Sequence, residues 1–267
     1  MKRIFRILFI ISLICAIKSC EIKNKKEFKK EFYPSGKLKT YGWYINDSIP
    51  IDTLYTFYEK GGLSGMDIFD TLGNYIKAVG YYKNGNVNEL INYKRGLANG
   101  FRYHFYENGQ VKKKVFYYND LSVGDAFFYD KKNNIVAYNF YDWKNHNLNL
   151  IEYDSLSGRE LKNVTQTIFI DSLRPYNDTL NKTDERSYDL LCIISNPHSH
   201  KTVVKINYLS KNGNLMKSDS CTNEPYFFKK EILSDSLFSI NILGSQFDSM
   251  KNKTVFQKNT ILLKYRE

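Results

Sequence analysis

The sequence predicts an all-β protein: an elongated antiparallel repeat sheet of stacked β-hairpins, about ten strands in all, followed by a small β-sandwich-like domain. Three observations predict it. Turn residues recur at Gly36, Gly61, Gly85, Gly109 and Asn133, at steps of 25, 24, 24 and 24 residues. The same columns refill around each turn: an aliphatic two residues on (Leu38, Leu63, Val87, Val111, Ile135), an aromatic eight residues on (Tyr44, Phe69, Tyr93, Tyr117, Tyr141) and another four residues before (Phe32, Phe57, Tyr81, Phe105, Tyr129). From about Leu161 the period is lost, and strand-like runs separated by polar loops replace it.

Residues 1–19 read as a leader. Met1-Lys2-Arg3 and Arg6 supply a basic start, and Ile7 to Ile17 is an apolar run of about eleven residues, suited to a signal peptide and short for a bilayer span. The run ends Ile17-Lys18-Ser19-Cys20, which resembles a bacterial lipobox at Ile17, Ser19 and Cys20 and departs from it at Lys18. That resemblance implies cleavage before Cys20 and lipidation of Cys20. The alternative is an ordinary signal peptide or short anchor with a chance cysteine. Residues 20–30 are polar and Lys-rich, and read as a tether.

Residues 31–158 carry the repeat. Asn-Gly favours a two-residue type I′ turn, in which both central residues need φ > 0. A second turn signal follows about eleven residues on, at Asn46-Asp47, Leu72-Gly73, Arg95-Gly96, Asn119-Asp120 and Lys144-Asn145, so each unit holds two strands. Alternation puts Val111, Lys113, Val115 and Tyr117 on one face and Phe101, Tyr103 and Phe105 on one face of the strand before. The aromatic columns read as the inward, packed face. Trp43, Phe116, Tyr138 and Phe140 then fall outward and form a candidate binding surface.

Tyr-Pro-Ser-Gly-Lys-Leu at 33–38, Tyr-Lys-Asn-Gly-Asn-Val at 82–87 and Tyr-Glu-Asn-Gly-Gln-Val at 106–111 resemble the bacterial variant of the MORN repeat. Gly42-Trp43-Tyr44 resembles its Gly-aromatic part, and Gly96, Gly100 and Gly124 its later glycines. The pattern departs at the position of Gly42, where later units carry Asp67, Ile91, Val115 and Asn139. The resemblance covers about residues 30–155. It implies an extended repeat surface of a kind found on envelope proteins and on some antitoxin-labelled proteins. It implies no catalytic residues.

Residues 161–267 hold runs at Thr165–Ile170, Tyr188–Ser195, Thr202–Leu209, Tyr226–Ile232, Leu237–Leu243 and Thr254–Tyr265. Lys211-Asn212-Gly213 reads as a hairpin turn, and short helical turns are conceivable at Ser234–Leu237 and Ser245–Met250. These runs either form their own small sandwich or extend the repeat sheet. Outside the cytoplasm Cys192 and Cys221 are a candidate disulfide, with a buried thiol at Cys192 as the alternative.

The net charge of +11 falls to +7 once Lys2, Arg3, Arg6 and Lys18 leave with the leader. Lysine predominates over arginine, and the densest run of the repeat, Lys112-Lys113-Lys114, alternates in direction and reads as a solvated strand face, so no nucleic-acid partner is expected. The chain lacks a Gly-x-Ser-x-Gly elbow and a phosphate-cradling Gly-rich loop. His104 reads as a surface histidine. His198 and His200, one residue apart, show no third ligand, so neither metal nor other cofactor is expected. Glu107, Asp120, Asp125 and Asp130 sit near turns and read as carboxylates bonded to their own backbone.

These readings converge on a non-enzymatic lipoprotein, held to a bacterial envelope membrane (the outer membrane fits best) through lipidated Cys20. Its repeat sheet would serve as a scaffold or a binding surface for an envelope protein. The alternatives are an immunity or antitoxin-like protein that neutralises a toxin, and a glycan-binding envelope protein.

Overall fold

The computed structural model describes residues 25–142, 146–165, 169–175, 187–198, 200–222, 226–232 and 237–262. The leader, Cys20 and Lys144-Asn145 lie outside the described residues. The protein is all-β. One sheet of 13 strands is followed by a 3-stranded and a 4-stranded sheet.

The large sheet is a meander of β1 (Lys26–Phe32), β2 (Leu38–Ile45), β3 (Ile49–Phe57), β4 (Leu63–Phe69), β5 (Tyr75–Tyr81), β6 (Val87–Lys94), the short β7 (Leu97–Ala98), β8 (Gly100–Phe105), β9 (Val111–Tyr118), β10 (Leu121–Tyr129), β11 (Ile135–Tyr141), β12 (Asn147–Tyr153) and β13 (Glu160–Thr165). Each strand pairs antiparallel with the next in sequence, except that β6 pairs with β8 past the short β7, which pairs with β6 off the main path. The sheet is longer than the sequence period implies. The expected tether is strand from Lys26, where β1 pairs with β2 and sets Phe28 against Trp43. Backbone pairing and two phenylalanines are enough to order this Lys-rich stretch, and lysines suit an edge strand. At the other end β13 pairs with β12 after the columns have lapsed.

The turns differ in type from the expectation. At the Asn-Gly turns only the glycine has φ > 0: Gly85 at 88° and Gly109 at 85°. In each, the glycine N–H donates to the carbonyl three residues back, as Gly85 does to Tyr82 (2.9 Å), while Tyr82 N–H donates to the Asn86 carbonyl (2.8 Å). This is a type I turn closed by a glycine bulge, and the strand registers shift beside it. The tight turns with two positive φ values belong instead to the second set, at Asn46-Asp47 (50°, 65°), Arg95-Gly96 (55°, 78°) and Asn119-Asp120 (48°, 66°), whereas at Leu72-Gly73 only Gly73 is positive, at 83°.

A further column joins the units. Tyr33 Oη donates to the Phe57 carbonyl (2.7 Å), Tyr82 Oη to Phe105 (2.7 Å) and Tyr106 Oη to Tyr129 (2.9 Å), and Tyr58 Oη donates to Tyr81. Each tyrosine, three residues before its turn glycine, clasps the carbonyl of the aromatic that precedes the next turn. The series stops at Asp130, whose carboxylate accepts the Lys132 and Asn134 N–H groups of its own turn.

The C-terminal part is its own pair of sheets, not a continuation of the repeat. The 3-stranded sheet is β14 (Phe169–Pro175), β15 (Ser187–Ile194) and β18 (Tyr226–Ile232), in that order. The 4-stranded sheet runs β17 (Leu215–Thr222), β16 (His200–Ser210), β19 (Leu237–Asp248) and β20 (Lys253–Leu262). Val204, Ile206 and Tyr208 alternate into one buried face with Ile240 and Ile242. Strand β19 continues through Ser245 to Asp248, where a helical turn was conceivable. Ten or more residues of antiparallel pairing with both β16 and β20 hold this stretch extended.

Candidate functional site

The aromatic columns occupy the sheet as expected but the burial is reversed. The face carrying Tyr44, Tyr93, Tyr117 and Tyr141 is only half-buried, and Tyr75 beside it is 39% exposed; Phe69 is the one fully buried member of the column. The opposite face holds the core. Phe116, Tyr138 and Phe140 are each 1% exposed or less and pack with Val123, Phe127, Ile151 and Tyr153. Three of the four residues expected to form an outward patch are therefore core, and Trp43, 44% exposed beside Phe28, stands apart from them. The reason is that both faces of this sheet are aromatic. Alternation separates them but does not say which one the C-terminal part will cover.

Asp125 marks the covered side. Val123, Gly124 and Asp125 bulge opposite the single residue Phe116, because β10 skips from the Ser122–Tyr117 pair to the Ala126–Val115 pair. Gly124 supplies the left-handed backbone, with φ 72°. The bulge turns Asp125 inward, 2% exposed, where its Oδ1 accepts from Tyr138 Oη (2.7 Å) and from the Asn196 N–H (3.1 Å). Tyr138 Oη also lies 2.7 Å from Ser195 Oγ. The Ser195 carbonyl accepts from Thr202 Oγ1 (2.8 Å) and Gln246 Nε2 (2.9 Å). This network ties the repeat sheet to the chain between β15 and β16. Burial raises the Asp125 pKa to about 7, against the opposing pull of the Tyr138 and Asn196 hydrogen bonds and of Lys114. Sequence reasoning placed Asp125 at a turn and missed it. The available signal was a carboxylate inside the apolar run Val123–Phe128.

The half-exposed face carries polar order of its own. Arg102 donates to Glu89 Oε1 through Nε (2.7 Å) and Nη2 (2.6 Å), and its guanidinium lies over the Tyr117 ring at 5.8 Å. His104 Nδ1 is 3.1 Å from the same Glu89 oxygen. The histidine expected at the surface is three-quarters buried. Burial lowers its pKa; Glu89 pulls upward, and Lys113, Arg102 and Lys112 add to the downward push. Rings continue along this face from Phe69 to Tyr75 (4.5 Å) and on to Tyr93 (5.0 Å). A shallow groove of about 430 Å³ opens near the Asn-Gly turns, lined by His104, Lys112, Lys113, Tyr82 and Tyr106 among others, with no carboxylate in its lining. Lys114 is not a solvated lysine: its Nζ lies 4.3 Å from the Phe127 ring centroid and 5.2 Å from that of Phe101, and burial lowers its pKa.

Cys192 and Cys221 are both thiols, without a disulfide between them. Cys192 is buried on β15 of the 3-stranded sheet, and Cys221 lies on β17, at the edge of the 4-stranded sheet. His198 and His200 do not act as a pair either: His198 is exposed, its ring edge-on to Tyr153. His200 instead meets Glu160 and Asp248, carboxylates from β13 and β19 that no spacing in the sequence connects.

No family model matches this chain, and no curated protein matches it. Among solved structures, it is similar to a tetra-tandem repeat in the extending region of a large adhesion protein, at 11% identity, covering 90% of this chain and 67% of that one with a TM-score of 0.22. No helix among the described residues is long and apolar enough to cross a membrane.

Proposed function

We propose that this chain is a non-enzymatic envelope lipoprotein, anchored through Cys20, whose repeat sheet serves as a scaffold and binding surface for an envelope protein. One observation carries the reading: a sheet of 13 strands in which one aromatic face packs a core and the other stays half-exposed, with Tyr75, Tyr93, Tyr117 and the Glu89–Arg102 pair held in place. Ordered, half-exposed tyrosine and arginine offer the side chains that dominate binding hot spots at low entropic cost. The lipobox-like Ile17-Lys18-Ser19-Cys20 supports the address, and the MORN-like turns support a repeat built for an extended partner.

Photo-crosslinking residues placed at Tyr93 and Tyr117 in cells should capture one recurrent envelope protein, while the same residue at the exposed turn position Leu156 should not. Cys20→Ala should release the protein from the membrane fraction. Repeated absence of an adduct from the tyrosine positions counts against the binding-surface reading.

A glycan ligand is a second reading, favoured by the Tyr82 and Tyr106 rings beside the groove. A glycan array with wild type and Tyr106→Ala tests it. Binding lost in the variant supports it, and no binding at all removes it.

A further inference from the structure

Three side chains from strands far apart in sequence converge where the repeat sheet meets the 4-stranded sheet. Glu160, His200 and Asp248 are 8%, 7% and 10% exposed at the side chain. One donor atom from each lies within 4.8 Å of the other two. We propose that Glu160, His200 and Asp248 form a binding site for a divalent transition-metal ion.

Two observations beyond the cluster point to a cation. The first is the orientation of the histidine. His200 Nδ1 lies 3.0 Å from the His198 carbonyl, an acceptor only, so Nδ1 carries the proton and donates there. The other ring nitrogen, Nε2, then faces the Asp248 carboxylate at 3.6 Å. That spacing leaves room for a metal to take a bond from each, and the donation from Nδ1 to a backbone carbonyl is the arrangement metal-bound histidines use. The second is Tyr153. It is the cross-strand partner of Glu160, 3% exposed, and its hydroxyl has no hydrogen-bond partner among the described residues. Paired residues on adjacent strands share a face of the sheet, so the Tyr153 side chain stands beside that of Glu160. There it can donate to a metal-bound water or to the outer oxygen of a ligating carboxylate.

Lys251 bridges the two carboxylates, 3.3 Å from Asp248 and in contact with Glu160, and is 49% exposed. It is the competing cation, and its long stem can swing into solvent. One imidazole nitrogen with two carboxylate oxygens suits Zn²⁺, Co²⁺ or Mn²⁺ at about 2.0–2.2 Å better than Ca²⁺ or Mg²⁺, which take mostly oxygen ligands. Bonds of that length need the three donors to draw in by about 1 Å, within the reach of side-chain rotation.

The test is a titration of the untagged full chain, in detergent, with ZnCl₂ and CoCl₂ by calorimetry and by cobalt d–d absorption, with CaCl₂ and MgCl₂ as comparators. One Zn²⁺ or Co²⁺ per chain is expected, with affinity at least about tenfold weaker in His200→Gln and in Asp248→Asn, and tighter in Lys251→Ala. Lys251→Ala leaves all three proposed ligands in place, so it keeps the test decisive if a ligand variant folds poorly. No stoichiometric binding in wild type or Lys251→Ala overturns the proposal, as does binding that survives His200→Gln unchanged.

Discussion

Tyr138 donates its hydroxyl to Asp125 across 2.7 Å, and both side chains are buried, at 0% and 2% exposed. The tyrosine has one proton and two close oxygens. With Asp125 ionised, Tyr138 gives that proton to the carboxylate and accepts from Ser195 Oγ. One carboxylate therefore orients a chain of hydrogen bonds from the repeat sheet into the C-terminal part.

Asp125 makes stability depend on pH in an unusual direction for a carboxylate. Its folded pKa of about 7 lies above the ordinary 3.8, so the folded state binds the proton more tightly. The contribution is fully present below pH 4 and is lost as pH rises through about 7, by at most about 4 kcal/mol. Asp125→Asn keeps the accepting oxygen and removes the titration. Urea unfolding should show the two proteins similar near pH 5 and the variant more stable near pH 8.5. A difference that does not change with pH would refute the assignment.

Tyr138→Phe removes the donor that favours the ionised carboxylate. It should cost about 1–3 kcal/mol at pH 8 and less at pH 5, where the protonated acid needs that donor less. Chemical denaturation at both pH values measures it, and an equal loss at each would contradict the role given to Tyr138.

The inter-unit clasp should be additive. Tyr82→Phe and Tyr106→Phe each lose one hydroxyl-to-carbonyl bond while keeping the ring, at about 1 kcal/mol apiece. Because the two clasps close different junctions of a repeat sheet, the double variant should lose close to the sum. Denaturant midpoints of the four proteins test this.

Two turn glycines should respond differently to alanine. Gly109 has φ 85° with open space around it, so Gly109→Ala meets only the backbone penalty of about 1–2 kcal/mol. Gly73 has φ 83°, and an added Cβ would stand 2.2 Å from Ile49 Cγ2, so Gly73→Ala adds a steric clash and should cost clearly more. Equal melting points for the two variants would show that the β3–β4–β5 junction yields more readily than its packing implies.

The largely buried His104 should titrate below the usual 6.5, because burial and three cations outweigh Glu89. Glu89→Gln removes the one upward influence and should lower its pKa further. NMR titration of the ring protons reads both. A wild-type value above 6.5 would mean that Glu89 dominates instead.

The hairpin period could be read from the chain because it is local. Gly85 and Gly109 reach φ > 0 without steric cost, and strand alternation fixes which side chains share a face. Even the clasp was present as a column of tyrosines at positions 33, 58, 82 and 106, although nothing in a tyrosine announces a partner 23 or 24 residues away. The turn type was misjudged for a similarly local reason. Asn-Gly suits both a type I′ turn and a type I turn with a glycine bulge, and the strand registers choose between them.

The sequence by itself determined an all-β repeat, its turn positions and the two sets of side chains on either side of the sheet. Only the tertiary structure decided which set is core. Phe116, Tyr138 and Phe140 became interior because the segment around Ser195 and Asn196 packs on their side, and Tyr93 and Tyr117 were left half-exposed by the same event. Periodicity records neighbours along a strand and across a hairpin, whereas a covering layer arrives through contacts between residues such as Asp125 and Asn196, 71 apart, or Glu160 and Lys251, 91 apart. Such pairings cost loop closure rather than local strain, and leave no periodic trace in the chain.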